Sequence, residues 1–323
     1  MSPQEVYVAD RSEATSRDLD ELHFVVVGAY VADCFVTAPR LPRWGEEYEA
    51  LSIRTSPGGK GLNQAVALAR LGAHVCAVGA VGDDGLGRDI VSALTREGIE
   101  TEFFVTREKA ATSICICFVG DNGQTSFVGH IDEDVTVTPE IVRGAESAFR
   151  QADAMLITFE ALISSIREAI TFAHRCDARV FLNPAPALAD PTAVAALPWR
   201  NVDVLVPNEA EARAILEGLG VSRQPLKIDD LASALASELS VPLVIVTLGD
   251  SGCAVHSHGV TRRYSAQQTA PVDTTGASDA FTAALAASLV QGRPEMAAIE
   301  AATAAAAFSI GRHGGYESMP FRG

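Results

Sequence analysis

The chain has 323 residues, of which 48% are hydrophobic and 20% are charged. This composition is typical of a globular protein with one large core or two modest ones. The 25 basic and 41 acidic residues give a formal net charge of −16, which argues against nucleic acid or an anionic membrane as a partner.

The cysteines carry no sign of a zinc site or a disulfide framework. Six of them are dispersed in apolar surroundings without C-x-x-C spacing, which predicts buried thiols in a reducing cytoplasm. Cys115 and Cys117 would share one face of a strand, and this pattern favours core thiols over a redox pair.

The N-terminal segment differs in composition from the rest. Residues 1–22 are polar and acidic without an apolar signal region, and no later run reaches the length of a membrane span. We therefore expect a disordered or loosely attached N-terminus on a cytoplasmic protein, followed by one folded domain over residues 23–323.

Short β-rich segments alternate with helical patterns along most of the chain. Strands are expected at 23–28, 74–81, 154–158, 179–182, 202–206 and 243–247, and helices at 64–71, 163–174, 209–217 and 297–310. The alternation predicts a parallel sheet with helices on both faces. Ligands of such sheets bind beyond the carboxyl ends of the strands, where the loops with Asn183, Asn208 and Gly249 should lie.

Two regions interrupt the alternation, at about 31–56 and 101–128. They contain turn residues and short strand patterns at 102–105, 111–119 and 125–128, the last two around the turn 121–123. We expect them to pair as a small sheet that covers a site and excludes water during group transfer. Surface hairpins of the main domain are the alternative.

The segment 273–281 reads DTTGASDAF and runs into an Ala-rich helical pattern. Small turn-forming residues at a helix start expose backbone N–H groups and the positive end of the helix dipole, which favour an anion. Placing a carboxylate beside that anion is electrostatically costly. Asp279 therefore makes most sense as the group that removes a proton from a nucleophile attacking a phosphate. An ordinary Gly turn followed by an Asp helix cap is the alternative.

The segment 56–65 reads SPGGKGLNQA and also leads into a helix. It is not a P-loop, because the Lys lacks a following Ser or Thr and the Gly spacing differs. Its glycines let the backbone approach a ligand, while Lys60 and Asn63 offer hydrogen bonds suited to sugar hydroxyls. A dinucleotide site at 79–87 is disfavoured, because Asp83 and Asp84 would repel a pyrophosphate.

Segments 58–72 and 273–281 closely resemble the two signatures of the ribokinase family of sugar kinases, also called the PfkB family. The motifs NPAP (183–186), VPNEAE (206–211) and VTLGDSG (246–252) resemble further family segments in the expected order. The resemblance spans residues 24–320. It implies a Rossmann-like three-layer α/β/α sandwich with a mainly parallel sheet and a small β-sheet lid, and ATP-dependent phosphorylation of a hydroxymethyl group.

The resemblance assigns the catalytic groups residue by residue. Asp279 would be the catalytic base, and the backbone N–H groups of Gly276, Ala277 and Ser278 would form an anion hole for the moving phosphoryl group. Ser278 stands where the family commonly has Gly, and its side chain would crowd the loop if its φ were positive.

The nucleotide side of the site is implied in the same way. Asn208 and Glu211 match an Asn-x-x-Glu motif that positions Mg²⁺ and the ATP phosphates through water, although Asn208 and Glu209 could simply start a helix. The other expected nucleotide-binding residues are Thr247, Gly249, Gly252 and Thr303.

The sugar side rests on Asp33, which matches a carboxylate that accepts hydrogen bonds from substrate hydroxyls. The residues expected alongside it are Gly59, Lys60, Asn63 and Glu160. By the same resemblance, Tyr30 stands where ribokinases typically have Asn. Its phenol offers an aromatic wall in place of a carboxamide, which would suit a nucleoside base better than free ribose.

The segment 309–318 resembles the part of ribokinases that completes a monovalent-cation site. The implied K⁺ ligands are oxygens of Asp273, Thr275, Ser309, Arg312, Gly314 and Ser318. A simpler interpretation is that Gly314 and Gly315 end the preceding helix.

We therefore predict a Mg²⁺- and ATP-dependent sugar kinase, with K⁺ as an expected activator. The alternatives are a nucleoside kinase of the same fold and a non-catalytic sugar- or nucleotide-binding regulator, for which Ser278 leaves room. The expected partners are a small sugar and ATP, with neither nucleic acid nor a membrane. A homodimer through the lids would cover their exposed strands.

Overall fold

The structure is a computed structural model that describes residues 17–120, 125–188, 190–221 and 227–322. Most of the N-terminal segment expected to be disordered, residues 1–16, and the turn expected at 121–123 lie outside the described residues. Within them, no helix has the length and apolar character needed to cross a bilayer.

The strands of the described chain are β1 (His23–Val27), β2 (Val31–Thr37), β3 (Ser52–Gly58), β4 (His74–Val78), β5 (Ala80–Gly82), β6 (Val105–Arg107), β7 (Ile114–Val119), β8 (Thr125–His130), β9 (Ala154–Thr158), β10 (Arg179–Asn183), β11 (Val204–Leu205), β12 (Leu243–Thr247), β13 (Cys253–Ser257) and β14 (Val260–Tyr264). The α-helices are α1 (Lys60–Leu71), α2 (Gly85–Arg96), α3 (Pro139–Gly144), α4 (Glu146–Gln151), α5 (Ile163–Arg175), α6 (Glu209–Gly218), α7 (Ile228–Leu239), α8 (Ala277–Val290) and α9 (Glu295–Ile310). Short 3₁₀ turns lie at Leu19–Glu21, Glu133–Val135, Pro191–Ala196, Trp199–Asn201, Gly249–Ser251 and Tyr316–Ser318.

The main sheet has the order β14-β13-β12-β11-β10-β9-β1-β4. The strands from β12 to β4 pair in parallel, and the hairpin β13-β14 adds an antiparallel edge. Because successive side chains of a strand point to opposite faces, β1 contributes to two cores. Val25 and Val27 pack with helices α3 to α7, whereas Phe24 and Val26 pack with α1, α2, α8 and α9. The predicted three-layer fold is confirmed.

A second sheet has the order β3-β2-β7-β8, and we call these four strands the lid. Strand β2 pairs antiparallel with β3 and parallel with β7, and β7 pairs antiparallel with β8. The two regions that interrupt the α/β alternation therefore do join in one small sheet, as the sequence predicts.

Two strand predictions near this sheet were wrong in detail. The segment 74–81 is divided into β4 and β5 at Gly79, where the Tyr30 ring lies against the backbone: a Cβ on Gly79 would lie 2.3 Å from a ring carbon. The segment 102–105 does not join the lid. The chain instead forms β6, which begins at Val105 and pairs in parallel with β5.

Helix α1 is longer than predicted and has glycine at both ends. It begins at Lys60 because Gly59 adopts a φ of 92° as its N-cap, and it ends at the expected residue, where Gly72 has a φ of 108°. A Cβ on Gly59 would lie 2.5 Å from the Ala29 carbonyl oxygen, so this junction requires glycine. The early start places Lys60 and Asn63 in the first turn of the helix.

The C-terminal segment is held against α1 by Arg70. Its guanidinium donates two hydrogen bonds to the Glu97 carboxylate, at 2.7 and 3.0 Å, and others to the carbonyls of Tyr316 and Met319. The Tyr316 hydroxyl donates to the same carboxylate. The Arg70 and Glu97 side chains are only 7% and 14% exposed, so this ion pair is largely desolvated.

Loss of one partner from such a pair leaves an uncompensated buried charge. We expect Arg70→Met to lower the free energy of unfolding by about 3–5 kcal/mol in urea denaturation. Arg150→Met is the matched control, since Arg150 pairs with Glu146 on an exposed helix face, and it should cost less than about 1 kcal/mol. Equal effects of the two variants would contradict the role given to Arg70.

Candidate functional site

The first turn of α8 brings Asp279 against the first turn of α1. The Asp279 carboxylate is 2% exposed, and its two oxygens accept hydrogen bonds from Asn63 Nδ2 and Gln64 Nε2, both at 3.0 Å. Asp279 therefore does not act as a helix cap, which was the alternative interpretation of this segment. The carboxylate is held in one orientation by two side-chain amides.

Sequence reasoning assigned no role to Gln64. Its side chain is fully buried, and its Oε1 has no hydrogen-bond partner in the described structure, as is also true of Asn63 Oδ1. The signal available in the sequence was an amide side chain next to the predicted ligand residue Asn63 and directly before the apolar run 65–68. Gln64 shares with Asn63 the task of orienting the Asp279 carboxylate, since each amide binds one of its oxygens.

The turn before α8 answers the question raised by Ser278. Gly276 carries the positive φ, 80°, and is the N-cap of α8. Ser278 lies inside the helix and is not among the described non-glycine residues with positive φ. Its hydroxyl accepts a weak hydrogen bond from Asn183 Nδ2 at 3.5 Å. The serine therefore fits this loop without backbone strain.

Lys60 is a positive charge surrounded by carboxylates. Burial lowers the pKa of its ammonium. The negative charges of Asp279, Glu160, Glu211 and Asp33 together raise that pKa by more than burial lowers it, so the net shift is upward. The carboxyl groups respond to their surroundings in turn. Burial raises the pKa of Asp279, while Lys60 and the two amide hydrogen bonds oppose that shift. Lys60 is therefore the charge that makes this acidic cluster tolerable.

Asp33 and Glu160 approach the same region from the lid and from the main sheet. Burial raises the pKa of each carboxyl to about 8. Glu160 Oε2 accepts a hydrogen bond from the Lys60 backbone N–H at 3.1 Å. Asp33 lies against Gly58, where a Cβ would come within 2.0 Å of a carboxylate oxygen. Glycine at 58 is thus a condition for the placement of Asp33.

Tyr30 does not line this region, contrary to the sequence-based expectation. The side chain is 1% exposed, its hydroxyl donates to the Val26 carbonyl at 3.2 Å, and its ring packs edge-on against Phe104 with centroids 4.8 Å apart. Its position directly before β2 turns the ring into the core between α1 and the sheet. The aromatic wall that favoured a nucleoside is therefore absent at this position.

A cavity of about 590 Å³ opens beside the N-terminus of α8. Its size is ordinary for a small-molecule site. Its walls include these residues expected on the nucleotide side: Asn208, Thr247, Gly249, Gly252 and Thr303. Ala277 and Ser278 line it as well. The segments that follow β11 and β12 thus meet the first turn of α8, as expected for ligands at the carboxyl ends of parallel strands.

Asn208 and Glu211 form a complete capping box at the start of α6. Asn208 Oδ1 accepts from the Glu211 N–H, Glu211 Oε2 accepts from the Asn208 N–H, and Asn208 Nδ2 donates to Glu211 Oε1 at 2.9 Å. Glu209 instead pairs with Arg213 on the same helix. Both Glu211 oxygens are engaged, so a Mg²⁺ ion here would be held more readily through water than by direct contact.

The residues expected around a monovalent cation lie close together in part. The Asp273 carboxylate is buried and accepts from the backbone N–H groups of Thr275 and Gly314 at 2.9 and 2.8 Å. Ser309 and Ser318 are joined by a hydroxyl hydrogen bond of 2.8 Å. The Arg312 side chain turns away, and its guanidinium lies over the Phe308 ring.

The raised pKa of Glu160 has a consequence for stability. Because the folded state raises the pKa of Glu160 to about 8, it keeps a proton that the unfolded chain loses near pH 4.5, and stability should fall as pH rises through that window. Glu160→Gln removes this titration. Between about pH 5 and pH 8, the free energy of unfolding of the variant should fall less than that of the wild type, by an amount on the order of 1 kcal/mol or more.

Urea denaturation across that pH range measures the difference. Glu146→Gln, at an exposed position on α4, is the control, and its pH dependence should parallel that of the wild type. A Glu160→Gln curve that also runs parallel to the wild type would contradict the elevated pKa.

Comparison with known proteins identifies the family. Residues 22–322 match the family model described as pfkB family carbohydrate kinase. The chain is 34% identical over 302 residues to the ribokinase of Bacillus subtilis, covering 92% of this chain and 96% of that protein. It is 30% identical over 301 residues to the deoxyribokinase of Salmonella typhi, covering 93% and 96%.

A solved structure of the Arabidopsis thaliana ribokinase complexed with ribose and ATP superposes with a TM-score of 0.77 at 27% identity. The superposition covers 93% of this chain and 96% of that one. This chain therefore belongs to the PfkB family of carbohydrate kinases, which are phosphotransferases with an alcohol group as acceptor.

Proposed function

We propose that this protein transfers the γ-phosphoryl group of ATP to the hydroxymethyl group of a pentose such as ribose, with Asp279 as the catalytic base. The observation that carries the proposal is the position of the Asp279 carboxylate. It is buried and oriented by Asn63 and Gln64, one turn or less from Ala277 and Ser278, which line the large cavity.

Asp279 has the properties that a base for an alcohol requires. Burial raises the pKa of its carboxyl, which makes the carboxylate a better proton acceptor, and the two amides hold it in place without taking up all of its lone pairs. The backbone N–H groups of Gly276, Ala277 and Ser278 stand at the positive end of the α8 dipole. They would stabilise charge on the transferred phosphoryl group.

ATP fits the cavity between α6, α8 and α9. Gly249 and Gly252, with φ of 60° and 84°, form a tight turn after β12 that lets the backbone lie against the nucleotide. Thr247 and Thr303 add hydroxyls to the same walls. Bound Mg²⁺ would neutralise the phosphates, and Asn208 with Glu211 would hold it through water.

The sugar would lie between the lid and α1. Asp33 and Glu160 supply carboxyl oxygens, and Lys60 and Asn63 supply donors, a set suited to several adjacent hydroxyls. The burial of Tyr30 removes the feature that favoured a nucleoside. The deoxyribokinase of Salmonella typhi makes 2-deoxyribose the second sugar to examine.

A monovalent cation such as K⁺ is proposed beside the anion hole. The buried Asp273 carboxylate has no ion pair among the described residues, and Thr275 Oγ1 is buried without a hydrogen-bond partner. The cation would be held by oxygens of Asp273, Thr275, Ser309, Arg312, Gly314 and Ser318. It would supply positive charge next to the phosphoryl site.

A cytoplasmic location is proposed as well, because the six free cysteines of the chain suit a reducing compartment.

Replacement of Asp279 tests the proposed base. We expect Asp279→Asn to lower kcat for ribose phosphorylation by about 10²–10⁴-fold, because the amide cannot accept the proton. ATP binding, measured by calorimetry, should persist. Asp83→Asn, an exposed carboxylate outside the site, is the control and should leave kcat unchanged.

The same assay separates the functional alternatives when ribose, 2-deoxyribose, hexoses and adenosine are compared as acceptors. Turnover of adenosine but not of free sugars would replace the proposal with a nucleoside kinase. Ligand binding with no turnover of any acceptor would indicate a regulator.

The cation proposal predicts several-fold higher activity in K⁺ than in tetramethylammonium at equal ionic strength. Asp273→Asn should remove most of that difference, since it weakens the negative charge of the site. Equal wild-type activity in the two salts would refute a cation site at Asp273.

A homodimer through the outer face of the lid is also proposed. By strand alternation Ile53, Ile114 and Val128 share one face, and each is 45–66% exposed. Exposed apolar side chains on one face of a sheet are costly in water.

Light scattering should therefore give twice the monomer mass, and Val128→Asp should give the monomer. Val260→Asp, an exposed valine on β14 of the main sheet, should leave the dimer intact. A monomeric wild-type protein would exclude the dimer.

A further inference from the structure

The inner face of the lid carries a cluster that the kinase reaction does not use in full. Asp33 on β2 is the direct cross-strand neighbour of Cys115 on β7, and Cys117 follows two residues later on the same face. One carboxylate oxygen and the two sulfur atoms all lie within 4.8 Å of one another. Two soft thiols and a hard carboxylate oxygen form a ligand set that zinc accepts.

The separation of the two sulfur atoms suits a tetrahedral zinc site. Two thiolates at about 2.3 Å from a tetrahedral ion are about 3.8 Å apart. Cys115 Sγ and Cys117 Sγ are 4.0 Å apart, so an ion could be bound with small side-chain adjustments. Three protein ligands leave a fourth position for water or another oxygen, as in open zinc sites.

The surroundings leave room for an ion on the side of Cys115. Gly129 on β8 stands opposite Cys115, and even an added Cβ would lie 3.5 Å from its sulfur. Asp33 and Cys117 are buried at 5% and 1% exposure, and Phe35 and Val119 pack beside Cys117. An ion bound there would be largely shielded from water, which strengthens its attraction to the ligands.

The charges that face the cluster are mixed. Asp279 and Glu317 add negative charge near Asp33, and Lys60 is the cation that opposes a metal ion. Arg54 lies over the Phe35 ring and pairs with Glu317 at 3.6 Å. Lys60 and Arg54 partly offset these carboxylates, so the ligand atoms of Asp33, Cys115 and Cys117 would themselves supply most of the charge that attracts a divalent cation.

We propose that Asp33, Cys115 and Cys117 form a binding site for a thiophilic divalent ion, Zn²⁺, and that its occupation blocks the sugar site. The thiol protons and any proton held by the Asp33 carboxyl go to solvent when the ion binds, and Asp33 becomes a ligand. The same carboxylate then cannot accept hydrogen bonds from a sugar. This second part rests on the proposed role of Asp33 in sugar binding, whereas the metal site itself does not.

Metal binding is measured directly, without any assay of activity. Titration of the reduced full-length protein with Co²⁺ should give a thiolate-to-cobalt charge-transfer band that saturates at one ion per chain, and Zn²⁺ should displace the cobalt. Competition with a chromogenic chelator gives the Zn²⁺ affinity. The double variant Cys115→Ser, Cys117→Ser should lose the band. It should also bind Zn²⁺ more than about 100-fold more weakly, because loss of direct ligands costs more affinity than the roughly 10–100-fold loss typical of an outer-shell partner.

Cys34→Ser is the matched control. Cys34 lies on β2 next to Asp33, but strand alternation places it on the opposite face of the lid. This variant should keep both the band and the affinity. If the double variant fails to fold, Cys115→Ser alone, at a half-buried position, should lose the band. A wild-type protein without a charge-transfer band, or equal losses in Cys34→Ser, would overturn the site.

A second measurement tests the link to the sugar. Ribose, or whichever acceptor the kinase assay identifies, should raise the apparent Zn²⁺ dissociation constant in the chelator competition. Zn²⁺ should inhibit the wild-type kinase, and EDTA should reverse that inhibition. The double cysteine variant should not be inhibited. Equal inhibition of both enzymes would refute the link, while the cobalt spectrum would still report on the site and the Asp279→Asn assay on the proposed function.

Discussion

The site depends on burying several carboxylates around one lysine. Desolvation works against each of Asp279, Asp33 and Glu160 in its charged form, and Lys60 is the shared countercharge. Such a cluster is stable only if its geometry is fixed by other interactions. Asn63 and Gln64 fix Asp279, and the Lys60 N–H fixes Glu160. The first turn of α1 therefore provides the countercharge, the donors and the orientation together.

Glycine makes this concentration of polar groups possible. Gly59 allows α1 to start beside the Ala29 carbonyl, Gly58 leaves room for the Asp33 carboxylate, and Gly276 begins α8 with a left-handed turn. Gly315 similarly leaves room for Asn63, since a Cβ there would lie 2.8 Å from its amide nitrogen. The backbone approaches the functional side chains as closely as sterics permit, so the site has little tolerance for added atoms.

Sequence patterns predicted the features that depend on local structure. The parallel sheet, the lid sheet and the helix start before Asp279 all follow from periodicity and from turn residues, and the capping potential of Asn208 was also visible. Features that depend on long-range packing were not predictable. Tyr30 is buried by packing against Gly79 and Phe104, and the strand expected at 102–105 is replaced by β6, which pairs with β5 of a separate segment.

The role of Gln64 and the neighbourhood of Asp33 and Cys115 belong to the second group. Gln64 contacts Asp279 across two helices distant in sequence, and Asp33 meets Cys115 through a parallel pairing of separate segments. Family resemblance supplies functional roles only for motif positions, so a residue that acts through another escapes it. Physical contacts in the folded chain are what identify such residues.

Asp279 is proposed as a base whose carboxyl pKa is raised by burial and lowered by Lys60 and by the amides of Asn63 and Gln64 on α1. The pH dependence of kcat in the wild type and in Gln64→Leu tests it most directly, because loss of a donor to the charged form raises a carboxyl pKa. The acidic limb of the profile should move to higher pH in the variant. An acidic limb at the same pH in both enzymes would show that the titrating group is not the carboxylate held by Gln64.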